Sequence, residues 1–109
     1  MASSKAFVDF ILEQISFNGL LDHRKMFGEY ALYADGKVVA LICDNKLYIK
    51  QTPEGRSFIG AALQEAPAYP GAKNSFLIEE GLEDRDWLSQ LIAITAEALP
   101  EPKPKKKKA

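Results

Sequence analysis

One histidine, one cysteine and fifteen carboxylates are the groups from which this 109-residue chain would have to build a reactive site. His23 is followed by Arg24 and Lys25, cations that disfavour a further positive charge on the imidazole, and no second histidine is available to complete a transition-metal site. It reads as a solvent-facing histidine in a loop entering the first strand, not as a general base. Cys43 closes an apolar run and has no basic neighbour nearer than Lys46, which predicts a buried, inert thiol. A single cysteine also excludes an intrachain disulfide or a CxxC metal knuckle. Glu79, Glu80, Glu83, Asp84 and Asp86 are clustered, but at a spacing that matches no calcium loop and that suits the start of a helix, where the macrodipole favours negative charge. Neither GxxxxGK[ST] nor GxGxxG occurs, so no phosphate-cradling loop is expected. No catalytic residue, metal ligand or cofactor is assigned, and the chain reads as non-enzymatic.

Binding chemistry is better represented. Arg24 and Lys25 stand beside Met26 and Phe27, with Tyr30 and Tyr33 following. Cations interleaved with aromatics suit contacts to phosphates and bases, and an amphipathic edge strand has the same pattern. Arg24, Lys25, Phe27 and Tyr33 are the candidate binding residues. A second basic feature lies at the C-terminus, where Lys103, Lys105, Lys106, Lys107 and Lys108 face only Glu101, a net +4. The other 99 residues hold nine basic and fourteen acidic side chains, so an acidic body of −5 is concealed under an overall −1. The lysines attract polyanions by releasing counterions, without reading sequence, so the nucleic-acid contact expected of them is weak and non-specific.

The elements that must position these residues follow from periodicity. Phe7, Phe10, Ile11 and Ile15 mark one face of a first helix, with Ser4 as N-cap and Asn18-Gly19 as its end. Lys25 to Ala34 and Lys37 to Cys43 flank Asp35-Gly36, a two-residue hairpin signal, with Gly28 as a bulge in the first strand. A third strand follows over Lys46 to Lys50. Thr52-Pro53 opens a second helix reaching Gln64. A short extended piece around Tyr69 and a strand over Ser75 to Glu79 precede a closing helix lined by Trp87, Leu88, Leu91, Ile92, Thr95 and Leu99. The prediction is a two-layer α+β domain, α-β(3)-α-β(2)-α with an antiparallel sheet, over residues 1–99, and a disordered Pro/Lys-rich tail over residues 100–109. The longest apolar run, Val38 to Cys43, is six residues. That is far short of the roughly 20 needed to span a bilayer, and the first residues lack signal-peptide features. The expectation is a cytoplasmic protein with no membrane contact.

Strict alternation through that apolar run puts Val38, Ala40 and Ile42 on one face and Val39 and Leu41 on the other. A strand apolar on both faces needs cover on both, which predicts a homodimer with Val39 and Leu41 in its interface, the competing solution being a monomer that folds its remaining helix over that face.

Arg24-Lys25-Met26-Phe27-Gly28, then Ala31-Leu32-Tyr33-Ala34-Asp35-Gly36-Lys37 and Leu47-Tyr48-Ile49-Lys50, resemble the RKMFGG-type motif, GLY-type strand, D-G turn and LYLK-type strand of the N-terminal domain of the TfoX/Sxy competence regulators. The likeness is close over Ser4 to Lys50 and looser over Pro53 to Leu99. Glu29 stands where a second glycine is usual, Ala31 replaces the glycine of the GLY-type strand, and Ser75 to Ile78 replaces a more aromatic segment. The resemblance implies the same α-β(3)-α-β(2)-α order in a secretion-chaperone-like fold. It also implies an interaction module in transcription regulation, with a protein partner in the transcription machinery: full-length members act with the cyclic AMP receptor protein at competence promoters and carry a second, C-terminal domain. The alternative is a nucleic-acid-associated accessory protein that uses the lysine tail for affinity and Arg24 and Lys25 for position.

Overall fold

The computed structural model describes residues 4–17, 19–26 and 29–99. Its elements run α1 (Lys5–Gln14), β1 (Leu21–Met26), β2 (Glu29–Ala34), β3 (Lys37–Cys43), β4 (Lys46–Ile49), α2 (Pro53–Ile59), β5 (Glu65–Pro67), β6 (Asn74–Ile78) and α3 (Arg85–Ala98). The strands form one antiparallel sheet in the order β1-β2-β3-β4-β6-β5, so the α+β class stands. The strand count differs from the expectation. Lys25 to Ala34 falls in two antiparallel strands, with Met26 paired to Glu29 and Phe27 and Gly28, a candidate binding residue and the expected bulge, outside the described residues. His23 accordingly stands in β1 and not in a loop.

Local chemistry sets most of the element ends. Ser4 caps α1 by accepting from the Phe7 amide, and Thr52 caps α2 by accepting from the Gly55 amide, with Pro53 in the first turn. Asp84 does the same for α3 from the Trp87 amide, so the acidic cluster supplies a cap and a first-turn charge, Asp86. Helix α1 ends at Gln14, with Ile15 already extended, short of the Asn18-Gly19 signal. Helix α2 ends at Ile59, because Gly60 takes φ 70° and turns the chain into a 3-10 turn over Gly60–Ala62. The fifth strand is Glu65–Pro67, and Tyr69 lies in the turn beyond it.

All three helices contribute to a core on one sheet face, where Val8 and Ile11 of α1 and Leu88, Leu91 and Ile92 of α3 meet Leu32, Ile42, Leu47, Ile49, Phe76 and Ile78. Phe58 of α2 stacks on Trp87 of α3 with centroids 5.7 Å apart. Lys37 donates from Nζ to the carbonyl of Ala96 at 2.7 Å, placing a cation on the last turn of α3, where free carbonyls accumulate. Among the described residues no helix is long and apolar enough to cross a membrane.

Pairing between β2 and β3 shifts between Leu32 and Tyr33: Leu32 faces Ala40, whereas Tyr33 faces Val38. Val39 is the extra residue, and a bulge of this kind reverses the facing of everything on one side of it. Val39 is therefore 0% exposed inside the helix-covered core together with Ala40 and Ile42, while Val38 pairs with Tyr33 and Leu41 with Ala31 on the opposite face. This corrects the dimer-face assignment: Val39 lies beneath the protein's own helices, and of the two residues only Leu41 belongs to the other face.

Candidate functional site

The register defines the helix-free face. Tyr33 and Val38 face each other on it, and Ala31, Leu41, Tyr48 and Leu77 lie in one row across β2, β3, β4 and β6. Such a face would ordinarily be wet, yet Ala31 and Tyr48 are buried. Part of the cover comes from the β5–β6 connection: Pro67, Ala68, Tyr69 and Pro70 stand opposite Leu41, Cys43 and Tyr48 across a cleft of about 670 Å³. That volume falls in the range of small-ligand sites. Tyr69, at its edge, is 56% exposed. Glu29 and Asp44 line the mouth, tied together by the Asp44 amide, which donates to Glu29 Oε2 at 3.2 Å.

Titration behaviour follows from this lining. Burial pushes the Cys43 thiol up, and the negative charges of Glu29 and Asp44 push it further. The Tyr48 phenol is raised by burial first, then by negative charge that includes Asp44, Glu79 and Glu29. The cleft thus pairs an apolar floor with two carboxylates, and burial and those charges favour the protonated, poorly nucleophilic form of Cys43.

The predicted binding residues do not converge. Arg24 faces Ala31 in the register, on the helix-free side, and its guanidinium carbon lies 5.5 Å from the centre of the Tyr33 ring, within cation–π range. Lys25 pairs with Tyr30 and so points to the other face, as neighbours on a strand must. Phe27 and the lysines at 103 and 105–108 lie outside the described residues. Arg24 and Tyr33 are the pair the fold brings together. The cleft residues went unpredicted because Tyr69 is far in sequence from Asp44 and Tyr48 and meets them only through the return of the β5–β6 connection. Proline and glycine punctuation over residues 67–71 was the one available signal.

The edge of the sheet is guarded as well as exposed. The Asp22 carboxylate accepts from the His23 amide at 2.8 Å, and Asp35 Oδ1 accepts from the Leu20 amide at 2.9 Å. These bonds and the charges of Arg24 and Lys25 discourage further strand pairing at β1.

Comparison with known proteins bears on all of this. The TfoX N-terminal domain family matches residues 13–99. An uncharacterized 12.7 kDa protein in the trpE 5′ region of Spirochaeta aurantia is 39% identical over 108 residues, covering 99% of this chain and 93% of that protein.

Proposed function

The chain belongs to the TfoX N-terminal domain family, and from that premise we propose that it is a non-catalytic interaction module that acts in transcription regulation by binding a protein partner. The observation that carries this reading is the helix-free face of the sheet, where the Arg24–Tyr33 pair and the cleft beside Tyr48 offer a surface that the protein's own helices do not cover. An aromatic ring holding a guanidinium in place is the kind of anchor that protein interfaces favour. A partner in the transcription machinery, and with it the cytoplasm, is drawn from the resemblance to the competence regulators. The test is capture from the native cell with the full chain, looking for RNA polymerase subunits or the cyclic AMP receptor protein, followed by titration of the purified partner. Tyr33→Ala and Arg24→Ala should each weaken that partner tenfold or more; equal affinity for all three proteins would remove the face from consideration.

The second reading, association with nucleic acid, is favoured by the net +4 of residues 100–109 and by the exposure of Arg24. It requires affinity for a duplex that falls steeply with salt and whose salt slope shrinks when the five tail lysines become glutamine. Unchanged binding in that variant would leave Arg24 and Lys25 as the contacts.

A further inference from the structure

The cleft on the helix-free face has an apolar floor, an exposed tyrosine at its edge and two carboxylates at its mouth, and among the described residues that line it none is a cation. Its occupant should combine apolar stems with positive charge. We infer that this cleft receives the Pro/Lys segment of residues 100–109 from a second copy of the chain.

Chemistry and reach both support that assignment. Pro100, Pro102 and Pro104 alternate with Glu101 and Lys103, and four consecutive lysines follow. Proline-rich segments dock in aromatic-lined grooves with little further ordering cost, and a lysine lays its methylene stem on apolar surface while its ammonium reaches for charge. Leu41 and Tyr48 offer that surface, Tyr69 and Pro70 the facing wall, and Glu29 and Asp44 the counter-charge. The +4 of the segment meets a body of −5.

The segment's own cleft lies at the far limit of its reach. Lys37 Nζ bonds the Ala96 carbonyl, so α3 ends in the helical layer over the Lys37 end of β3. The cleft mouth at Asp44 lies beyond the other end of that strand, on the opposite face. Seven strand residues span about 23 Å, and crossing from the helical layer to the far side of the sheet adds roughly 10 Å or more. Ten residues extend at most about 33–36 Å, so an intramolecular path would use almost the whole segment and leave its prolines and most of its lysines outside the cleft. A second copy has no such restriction, and two copies can exchange segments reciprocally.

The inference assigns an occupant to the cleft that the proposed function leaves open to a partner, and its test reads self-association alone: it needs only the full chain, treated with nuclease so that bound polyanion does not bridge copies. Two variants are compared with the parent by sedimentation: a cleft variant, Asp44→Asn with Tyr69→Ala, and a tail variant, Lys105, Lys106, Lys107 and Lys108 each to Gln. Asp44 has φ 53°, a conformation asparagine adopts as readily as aspartate, and Tyr69 is largely exposed, so both variants should fold, which thermal melts would verify. The parent should sediment above its 12.1 kDa monomer mass at low ionic strength and return to it in about 0.5 M salt, where charges several ångströms apart are screened. Each variant alone should stay monomeric. An equimolar mixture should form dimers, because the intact tail of one variant fits the intact cleft of the other. A monomeric parent at low salt, a cleft variant that associates like the parent, or a mixture that stays monomeric would each overturn the inference.

Discussion

Gln14, the last residue of α1, donates from Nε2 to the carbonyl of Leu82 at 3.0 Å, across 68 positions of sequence. Ser89 of α3 completes the tie: its hydroxyl accepts from the Ser16 amide at 2.7 Å and donates to the Gln14 carbonyl at 3.3 Å. The end of a short helix thus finds its partners in α3 and in the segment that leads into it, and α1 stops at Gln14 without a glycine. Gln14 is buried, so Gln14→Leu should cost about 1–3 kcal/mol by leaving the Leu82 carbonyl without its donor. Ser89→Ala should cost about as much, and because Ser89 bonds the backbone of Gln14 itself, the two sites are neighbours and the double variant should depart from the sum. Urea unfolding of the three proteins measures both statements.

Gly55 sets two effects against each other. Alanine is the better helix former by about 1 kcal/mol, but a Cβ at this position would come within 2.9 Å of Thr52 Oγ1 and 3.3 Å of Phe76 Cε2. Thr52 is the α2 cap, bonded to the Gly55 amide at 2.9 Å, and Phe76 is fully buried, so neither gives way freely. Strain of this kind costs roughly 1–3 kcal/mol and outweighs the propensity. Gly55→Ala should therefore lower the urea midpoint; a rise would show that the cap moves without loss.

The caps at Ser4 and Thr52, the acidic start of α3 and the Asp35-Gly36 turn were legible in sequence because each is chemistry between residues a few positions apart. Strand β1 was not. Leu-Asp-His-Arg-Lys-Met has little β-branched or aromatic character, and it is a strand because β2 pairs with it at the sheet edge. Val39 was misplaced for a related reason. Alternation assumes an unbroken period of two, and the bulge beside Tyr33 inserts one residue that no local signal announces. The cleft was least legible of all, since its wall depends on where the β5–β6 connection folds back.

Glu65 reports a small surface network. Gln51 Nε2 donates to its Oε1 at 2.8 Å and Arg56 Nη1 to its Oε2 at 3.1 Å, and these hydrogen bonds, Gln51 first and Arg56 next, hold its carboxyl below the ordinary glutamate range. A group lowered in the folded state contributes stability above its ordinary pKa and loses that contribution as pH falls through the folded value. The site is exposed, so the contribution is small and screened by salt. Carboxyl NMR titration should place the Glu65 midpoint below that of a free glutamate, with Gln51→Ala and Arg56→Ala each moving it upward.

Cys43 gives the opposite sign. Burial, then Glu29 and Asp44, raise its thiol, so its contribution to stability is present below the ordinary thiol pKa and is lost as pH rises through the raised folded value. Alkylation by iodoacetamide near pH 8 should be slower than for an unfolded control and should accelerate in alkaline solution. Asp44→Asn, which removes one of the raising charges, should shift that acceleration to lower pH. Fast labelling of the native protein at pH 8 would contradict the protonated, covered thiol.

Val39 and Leu41 provide the sharpest test of the sheet's facing, because alternation puts them together and the bulge sets them apart. Val39 is 0% exposed among the core residues beneath the helices, whereas Leu41 is half-buried and borders the cleft. Truncation in a closed core leaves a cavity as well as removing buried methyls, and for a side chain the size of valine about 2 kcal/mol is expected. Truncation beside an open cleft lets solvent take up the space. Leu41→Ala should therefore cost less than Val39→Ala although it removes more atoms, an inversion of the usual order for leucine and valine. A charge sharpens the contrast: Val39→Asp should prevent folding at ordinary temperature, because an unpaired carboxylate would be buried among the helices, while Leu41→Asp should fold with reduced stability. If Leu41→Ala proves the costlier truncation, the two residues share the covering that simple alternation assigns them and the bulge does not set the facing of β3.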